Sequence, residues 1–414
     1  MKGYVRAILA IFIVSCLAIA VQAAAIAPAA PRAAPVTKLA GKICNVLDFG
    51  GKADNKTDLG PALLAAYKQC IATNPGSTST RRPKLIVPKG SYILKTNVLF
   101  KHPTPFVFQL DGGIFIPFIP TLGGTLIQFQ SCQRITFSGT GYIDGNGTPW
   151  RPDVAHLNRY PGRPRLLRFQ DCDRCKISGV SLINSPKFHL TVNGNDNEIS
   201  DMRVVSDVLG ETDAFDVSGN NNYVHDVFVR NGDECVTVKT PTTNFRAENI
   251  VCESTAGCNI GSFGRDSGTN VQIDGVSYKN VTIYGGAKAG ILLKSYPISK
   301  GYVRNLHYEN IKLTDAAYPI SFNTFWCVPG PCMADRGNLR VSNVTFTNVK
   351  IDGKTNKPRP MIQLNCLPGA GAGCHDVKIT KLDASRATGY KPNVVRNTYN
   401  LQIEKSLVRS EYDN

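Results

Sequence analysis

A short pattern of alternating apolar and polar residues recurs along most of this chain. It reads KISGVSLINS from Lys176, EISDMRVVSD from Glu198, YVHDVFVRNGD from Tyr223, FRAENIVCES from Phe245 and VQIDGVSYKNVTI from Val271. Later copies begin at Val303, Leu339 and Val377. The middle apolar residues of the first five copies, Val180, Met202, Val227, Ile250 and Val276, are 22 to 26 residues apart. This alternation, punctuated by Asn, Gly and Asp, predicts short strands separated by turns.

Stacked coils of this length predict an all-β fold, a single-stranded right-handed parallel β-helix with a continuous apolar interior. The signatures of leucine-rich repeats and of β-propeller blades are missing from the sequence. Residues 58–72 form the one convincing amphipathic helix, with Asp58 as its N-cap. We expect this short N-terminal helix to cap the open end of the core.

The sequence predicts three segments. Residues 1–23 have the basic start, apolar stretch and small-residue cleavage site of a secretory signal peptide. Residues 24–40 form an Ala/Pro-rich leader, and residues 41–414 form one β-helix domain. No later segment is apolar enough to span a membrane, so we expect a secreted, extracellular protein. We also expect it to be a monomer.

Twelve cysteines remain after the predicted signal peptide, an even number that suits disulfides in an oxidising compartment. Closely spaced pairs predict local bridges between Cys44 and Cys70, Cys235 and Cys252, Cys327 and Cys332, and Cys366 and Cys374. The others are Cys132, Cys172, Cys175 and Cys258. Cys172 and Cys175 form a CxxC motif, but without a second CxxC or a His pair a structural disulfide or buried thiols are favoured over a redox or zinc site.

Two further features fit an extracellular protein that acts on a polyanion. Sequons at Asn55, Asn146, Asn280 and Asn343 predict N-glycosylation. The formal net charge of +16 attracts polyanions at long range. No nucleic-acid-binding motif is present, so an acidic polysaccharide is the favoured partner, although the charge by itself also agrees with a role in solubility.

Neighbouring acidic residues point to a catalytic groove. GETDAFDVSG from Gly210 and NGDECVTV from Asn231 lie about one coil apart, and stacked coils are separated by roughly 4.8 Å. Asp213, Asp216, Asp233 and Glu234 therefore converge on one groove. Adjacent strand residues face opposite sides, so Gly232 predicts a turn or bulge that re-aims one of the last two. Carboxylates at this range push their pKa values apart, which gives one acid and one base, although Asp at coil corners also caps turns.

These motifs resemble the pectin-degrading glycoside hydrolases, the family of polygalacturonases and rhamnogalacturonases with the pectin-lyase-like β-helix. Polygalacturonases carry Asn-Thr-Asp, Gly-Asp-Asp, Gly-His-Gly and Arg-Ile-Lys in consecutive coils. The matching triplets here are Glu211-Thr212-Asp213, Gly232-Asp233-Glu234, Ala256-Gly257-Cys258 and Leu292-Leu293-Lys294. Cys258 and Leu292 thus replace a His and an Arg. Rhamnogalacturonases carry similar segments to three found here, namely DECVTVK, the Gly-Cys pair and the lysine of LLKS. They usually have an Asp at the position of Asn193.

The resemblance implies a role for each matched residue. Asp233 is the general acid, with Asp213 and Glu234 holding and deprotonating a water; Asp216 and Glu234 are the alternative pair. Lys294 pairs with a substrate carboxylate, and Asn193, Gly257 and Cys258 occupy substrate-binding positions. The resemblance implies no cofactor and no metal.

The leading hypothesis is an inverting rhamnogalacturonan hydrolase, whose two carboxyl groups stand roughly 6.5 to 9.5 Å apart to admit a water. A polygalacturonase with altered subsites and a non-catalytic β-helix that binds pectin or another glycan are the alternatives.

Overall fold

The computed structural model describes residues 41–74, 81–153, 159–264, 270–327 and 337–404. The predicted signal peptide and leader lie outside these ranges, so their boundaries stay predictions. No helix within the described ranges has the length and apolarity that a membrane crossing requires.

Short strands make up most of the described chain. They are β1 (Ile43–Asn45), β2 (Lys84–Val87), β3 (Ser91–Ile93), β4 (Val98–Lys101), β5 (Val107–Leu110), β6 (Gly113–Phe115), β7 (Thr125–Gln133), β8 (Thr136–Ser138), β9 (Tyr142–Asp144), β10 (Arg165–Asp173), β11 (Lys176–Ser178), β12 (Ser181–Ile183), β13 (Leu190–Asn193), β14 (Glu198–Ser200), β15 (Arg203–Val205), β16 (Phe215–Asn220), β17 (Tyr223–Arg230), β18 (Val236–Glu253), β19 (Cys258–Phe263), β20 (Asn270–Tyr284), β21 (Ile291–Ser295), β22 (Lys300–Thr314), β23 (Ile320–Asn323), β24 (Asn338–Lys354), β25 (Ile362–Asn365), β26 (Gly373–Thr388), β27 (Val394–Arg396) and β28 (Thr398–Ile403).

Each strand pairs in parallel with strands of the coils before and after it, so the strands form ladders along one axis. The first ladder is β1, β2, β5, β8, β11, β14, β17, β18, β20, β22, β24, β26, β28. The second, β3, β6, β9, β12 and β15, merges with the first at β17 because the later strands are longer. The third is β4, β7, β10, β13, β16, β18, β19, β21, β23, β25, β27. The predicted parallel β-helix is confirmed, and the third ladder carries the acidic residues.

The interior of the coils is filled by side chains stacked at paired strand positions. Phe100, Phe129 and Phe169 occupy paired positions on β4, β7 and β10, with ring centroids 5.0 and 4.6 Å apart. All three are fully buried. Because period two sends every second residue inward, one apolar row runs from coil to coil.

A short helix closes the N-terminal end of this interior. Helix α1 (Leu59–Ala66) begins after Asp58, whose side chain accepts a hydrogen bond from the Gly60 amide, and continues into a π-turn (Tyr67–Ile71). The Tyr67 ring lies 5.3 Å from that of Phe100. Short 3-10 turns also occur at Val46–Phe49 and Thr148–Trp150. The capping helix and its N-cap were thus predicted correctly.

Asparagine ladders hold the corners of successive coils. Asn249, Asn280, Asn310 and Asn348 have φ angles of 55° to 58°, the left-handed region that Asn tolerates better than most residues. Each of the last three donates its side-chain amide to the asparagine one coil before, at 2.7 to 3.0 Å. The sequons at Asn280 and Asn343 lie in such ladders. Asn55 is exposed and Asn146 is half-buried, and glycosylation at all four sites stays a prediction.

The register of one repeat differs from the predicted one. Ile250 pairs with Val281 rather than Val276, which pairs with Phe245. These later copies carry inward apolar residues on both sides of the asparagine corner. Spacing alone does not decide which apolar residues of one coil pair with which residues of the next. The interval from Ile250 to Val276 is therefore not the length of one coil.

Four disulfide bonds join described cysteines: Cys44 to Cys70, Cys132 to Cys172, Cys235 to Cys252, and Cys366 to Cys374. Three of these are pairs that the sequence predicts. Cys327 is also disulfide-bonded, but its predicted partner Cys332 lies outside the described residues. The CxxC motif holds one half-cystine and one buried free thiol, Cys175, whose Sγ lies 3.8 Å from Cys132 Sγ.

We expect Phe129→Ala to lower the free energy of unfolding by about 3–5 kcal/mol, because it opens a cavity in the middle of the aromatic row. The exposed Leu99, 46% accessible on the neighbouring strand β4, supplies the control Leu99→Ala, which should change it by less than about 0.5 kcal/mol. Urea denaturation followed by fluorescence measures both. Equal losses in the two variants would contradict the stacked interior.

Candidate active site

Asp233 ends a bend at residues 231–233, and Glu234 follows it two residues before β18. The backbone of Leu209 passes so close to Gly232 that a Cβ atom there would collide with it. Gly232 is therefore required by close approach, and its φ angle is not positive. The bend separates Asp233, half-buried at the surface, from the buried Glu234.

Hydrogen bonds to the preceding coil fix this bend. The Asn231 side-chain amide donates to the carbonyl oxygens of Thr212 and Glu234, at 2.7 and 2.9 Å. The Gly232 amide donates to Thr212 Oγ1 at 3.0 Å. Asp233 Oδ2 accepts the Glu211 amide at 2.7 Å. The two acidic segments are thus locked to each other as adjacent coils.

Three carboxyl groups meet at the center of the site. One oxygen each of Asp213, Asp216 and Glu234 lies within 4.8 Å of the others, and all three residues are at most 7% exposed. Asp233 borders the adjoining cleft and interacts electrostatically with Asp213 and Glu234. The structure therefore brings together all four acidic residues that the sequence singled out.

Two lysines lie against this cluster. Lys239 Nζ lies 3.0 Å from Glu234 Oε2 and 3.2 Å from Asp216 Oδ1, and it donates to the Gly261 carbonyl oxygen at 2.8 Å. The buried Lys294 ammonium donates to Glu234 Oε1. The sequence analysis gave Lys239 no role. The sequence signal that could have identified Lys239 is its place two residues after Thr237, because residues two apart on strand β18 point to the same face.

This arrangement separates the pKa values of the four acids. Burial raises the pKa of Glu234, but Lys239 and Lys294 together outweigh it and bring the pKa to about 2. Burial raises the pKa of Asp216 to about 6 despite Lys239. Burial and the neighbouring carboxylates raise the pKa of Asp213 well above its usual range, and burial and Glu234 raise that of Asp233. Glu234 is thus ionised while its neighbours hold protons more readily.

A cleft of about 270 Å³ opens beside Asp233 and runs toward the C-terminal coils. Its floor follows the third ladder from Leu292 to Ser321 to Gln363, which pair in register. The remaining lining residues are Ala256, Lys288, Ala289, Lys294, Tyr318, Asn323 and Trp326. The Lys294 ammonium lies 5.2 Å from the Trp326 ring centroid. Of the residues that line the cleft, the sequence analysis named Asp233, Ala256, Leu292 and Lys294.

Two predicted substrate-binding residues, Gly257 and Cys258, are buried away from the cleft. Cys258 is 1% exposed and faces the interior, where burial raises the pKa of its thiol to about 12. Gly257 is buried with φ +86°, and a Cβ atom there would collide with the Gly290 carbonyl oxygen. Neither residue lines the cleft, and their contact with substrate stays a prediction. Ala256 is the member of this triplet that borders the cleft.

Asn193 lies on the same outer face as the acidic residues. Its strand neighbour Thr191 pairs with Asp216, and its side-chain amide donates to Ser218 Oγ at 2.7 Å. Its predicted contact with substrate stays a prediction.

The donor groups fit a metal ion poorly, although the spacing of Asp213, Asp216 and Glu234 would admit one. Lysine ammoniums already occupy both oxygens of Glu234 and one of Asp216.

A larger open groove of about 600 Å³ lies elsewhere, along Asn221 and Asn244, and Asp196 is the single acidic residue among its described lining. A pair of carboxylates for acid–base chemistry is therefore found at the first cleft.

Comparisons with known proteins agree with this geometry. Residues 81–399 match the profile of glycosyl hydrolases family 28. The chain is 33% identical to probable rhamnogalacturonase C of Aspergillus flavus over 351 residues, 84% of this chain and 72% of that protein. It is 31% identical to probable rhamnogalacturonase E of Aspergillus niger, over 87% of this chain and 76% of that protein.

Solved structures share the fold. Endo-xylogalacturonan hydrolase from Aspergillus tubingensis superposes with a TM-score of 0.67 at 19% identity, over 86% of this chain and 96% of that one. An exopolygalacturonase from Thermotoga maritima superposes with a TM-score of 0.65 at 18% identity, over 88% and 92%. Both are right-handed parallel β-helices. The family match and the relatives above confirm the predicted resemblance: the chain belongs to glycosyl hydrolases family 28 and is a glycoside hydrolase.

Proposed function

We propose that this protein is a secreted hydrolase of pectin that cleaves the rhamnogalacturonan backbone between galacturonic acid and rhamnose, with inversion. The observation that carries the proposal is the half-buried Asp233 at the edge of the cleft, beside a buried cluster in which Glu234 is ionised. Relatives with the word rhamnogalacturonase in their names support the choice of polymer.

In this mechanism Asp233, whose raised pKa keeps its proton available, protonates the glycosidic oxygen. The bond from that oxygen to the anomeric carbon breaks while a water attacks the carbon from the opposite face. The proton from the water passes to Asp216, which has a pKa of about 6 and is ionised at neutral pH. Glu234 stays ionised between its lysines and stabilises the positive charge that develops on the sugar.

The residues that line the cleft support the choice of rhamnose as one of the two sugars joined by the cleaved glycosidic bond. Leu292, where polygalacturonases carry an arginine, is 7% exposed on the cleft floor, and Ala256 and Ala289 border the same space. At Leu292 an apolar surface suits the methyl group of a 6-deoxy sugar better than a carboxylate, which would lose hydration against it. The charged Lys288 and Lys294 line other parts of the same cleft. The relatives and this apolar floor together favour rhamnogalacturonan over polygalacturonan.

We expect Asp233→Asn to lower kcat on debranched rhamnogalacturonan by about 10²- to 10⁴-fold, because the proton donor is lost. Exposed Glu309 lies outside the cleft and supplies the matched control Glu309→Gln, which should keep wild-type activity. Product analysis, with polygalacturonan run in parallel, should give rhamnose-terminated oligomers from the first polymer alone. Cleavage of polygalacturonan alone would favour a polygalacturonase. Binding without cleavage in the wild type would favour a glycan-binding β-helix.

We expect Lys239→Met to move the acid limb of the kcat/KM profile to higher pH by about 1 unit, because loss of the ammonium raises the pKa of Asp216 and Glu234. A base that holds its proton more tightly is ionised only at higher pH, so activity falls most at low pH. Lys239→Arg keeps the charge and should keep the limb near its wild-type position. A limb that stays in place or moves to lower pH in a folded Lys239→Met protein would contradict the charge balance.

A further inference from the structure

The two lysines of the cleft differ in what surrounds their charge. Lys294 is 8% exposed, and its ammonium is engaged by Glu234 and by the Trp326 ring. Lys288 is exposed, and its ammonium reaches back across the cleft mouth to donate to the Gly232 carbonyl oxygen. The Lys294 ammonium is therefore already paired with Glu234, whereas the exposed Lys288 ammonium is accessible to a ligand.

The Lys288 ammonium donates its hydrogen bond to a neutral carbonyl oxygen and not to a carboxylate. Within the described ranges, the ion pairs of the site join carboxylates to Lys239 and Lys294, and none involves Lys288. An ammonium carries three donors, and one carbonyl oxygen uses only one of them. Lys288 thus retains both charge and hydrogen-bonding capacity for an anion that enters the cleft.

The backbone holds Lys288 at this place. Its amide donates to the Thr255 carbonyl oxygen at 2.7 Å, and its two neighbours, Ala287 and Ala289, are buried. The ammonium is close enough to Asp233 to act on the pKa of that carboxyl. Lys288 is therefore fixed beside the predicted general acid.

The rest of the cleft suits a sugar ring. Tyr318 and Trp326 supply aromatic surface. Ser321 Oγ donates to Gln363 Oε1 at 2.7 Å, which leaves the amide nitrogen of Gln363 as a neutral donor at the cleft. A uronic acid has a ring face that can pack on an aromatic side chain, hydroxyls for such donors and one carboxylate for a cation.

We propose that Lys288 binds the carboxylate of a galacturonate residue held in the cleft and so sets specificity for an acidic sugar beside Asp233. This inference rests on the proposed function. It moves the carboxylate-binding role from Lys294, where the sequence placed it, to a residue that the sequence analysis did not consider. Lys294 instead positions Glu234.

The test pairs a protein variant with a substrate variant. Lys288→Met should raise KM on rhamnogalacturonan oligosaccharides about tenfold with kcat little changed, because a charge-assisted contact to the bound sugar is lost. On oligosaccharides whose galacturonate carboxyl groups have been reduced to alcohols, wild type and Lys288→Met should give equal KM. Lys288→Arg should recover most of the loss. Lys294→Met should lower kcat on both substrates.

Exposed Lys312, outside the cleft, supplies the control Lys312→Met, which should leave both constants unchanged. Equal losses on native and reduced substrates would mean that Lys288 acts through Asp233 and would overturn the proposal, as would no loss on either. Calorimetric binding of galacturonate-containing oligosaccharides, native and reduced, gives a second readout. If the wild type cleaves neither polymer, the proposed function fails, and a carboxyl-dependent loss of binding in Lys288→Met still decides the role of Lys288.

Discussion

The contact of two lysines with one glutamate is the interaction on which the candidate site depends. Glu234 accepts from Lys239 on one carboxylate oxygen and from Lys294 on the other. Several buried acids in one place would be very costly without compensation. With it, Glu234 remains ionised, burial holds a proton on Asp213, and the pKa of Asp216 is raised to about 6. A site that must donate one proton and accept another requires this separation.

The stacked coils make the contact possible because they turn distance along the chain into proximity along the axis. Lys239 follows Glu234 on the same coil, whereas Lys294 comes from β21, which lies two strands further along the third ladder. The close approach of Leu209 to Gly232 sets the bend that sends Glu234 inward and leaves Asp233 at the cleft. The catalytic arrangement therefore depends on backbone contacts between coils as much as on the acids themselves.

Much of the fold was predictable because its signals are local. Alternation gives the strands, asparagine in the left-handed region gives the corners, and Asp58 gives the start of the capping helix. The register at Ile250 was not predictable, because each repeat offers its neighbour equivalent apolar positions on both sides of the asparagine corner.

The site was predictable in its acids and much less so in the residues around them. Asp213, Asp216, Asp233 and Glu234 were recognised because carboxylates one coil apart must meet. The partner of a lysine is a matter of side-chain direction across several coils, which spacing does not encode. For this reason the contacts of Lys239, Lys288 and Lys294 with the two acidic segments were not predicted. The inward direction of Cys258 was not predictable, because triplet matching does not say which residue of a strand faces inward.

The central claim is that the lysines keep the pKa of Glu234 low while burial raises the pKa values of Asp213 and Asp216. Carbon-13 NMR titration of the Asp and Glu side-chain carboxyls measures this directly, with signals assigned from Glu234→Gln and Asp216→Asn. The account predicts that Glu234 titrates near pH 2 and Asp216 near pH 6. Titration of Glu234 at or above its ordinary value of 4.5, or of Asp216 at or below 3.8, would contradict it.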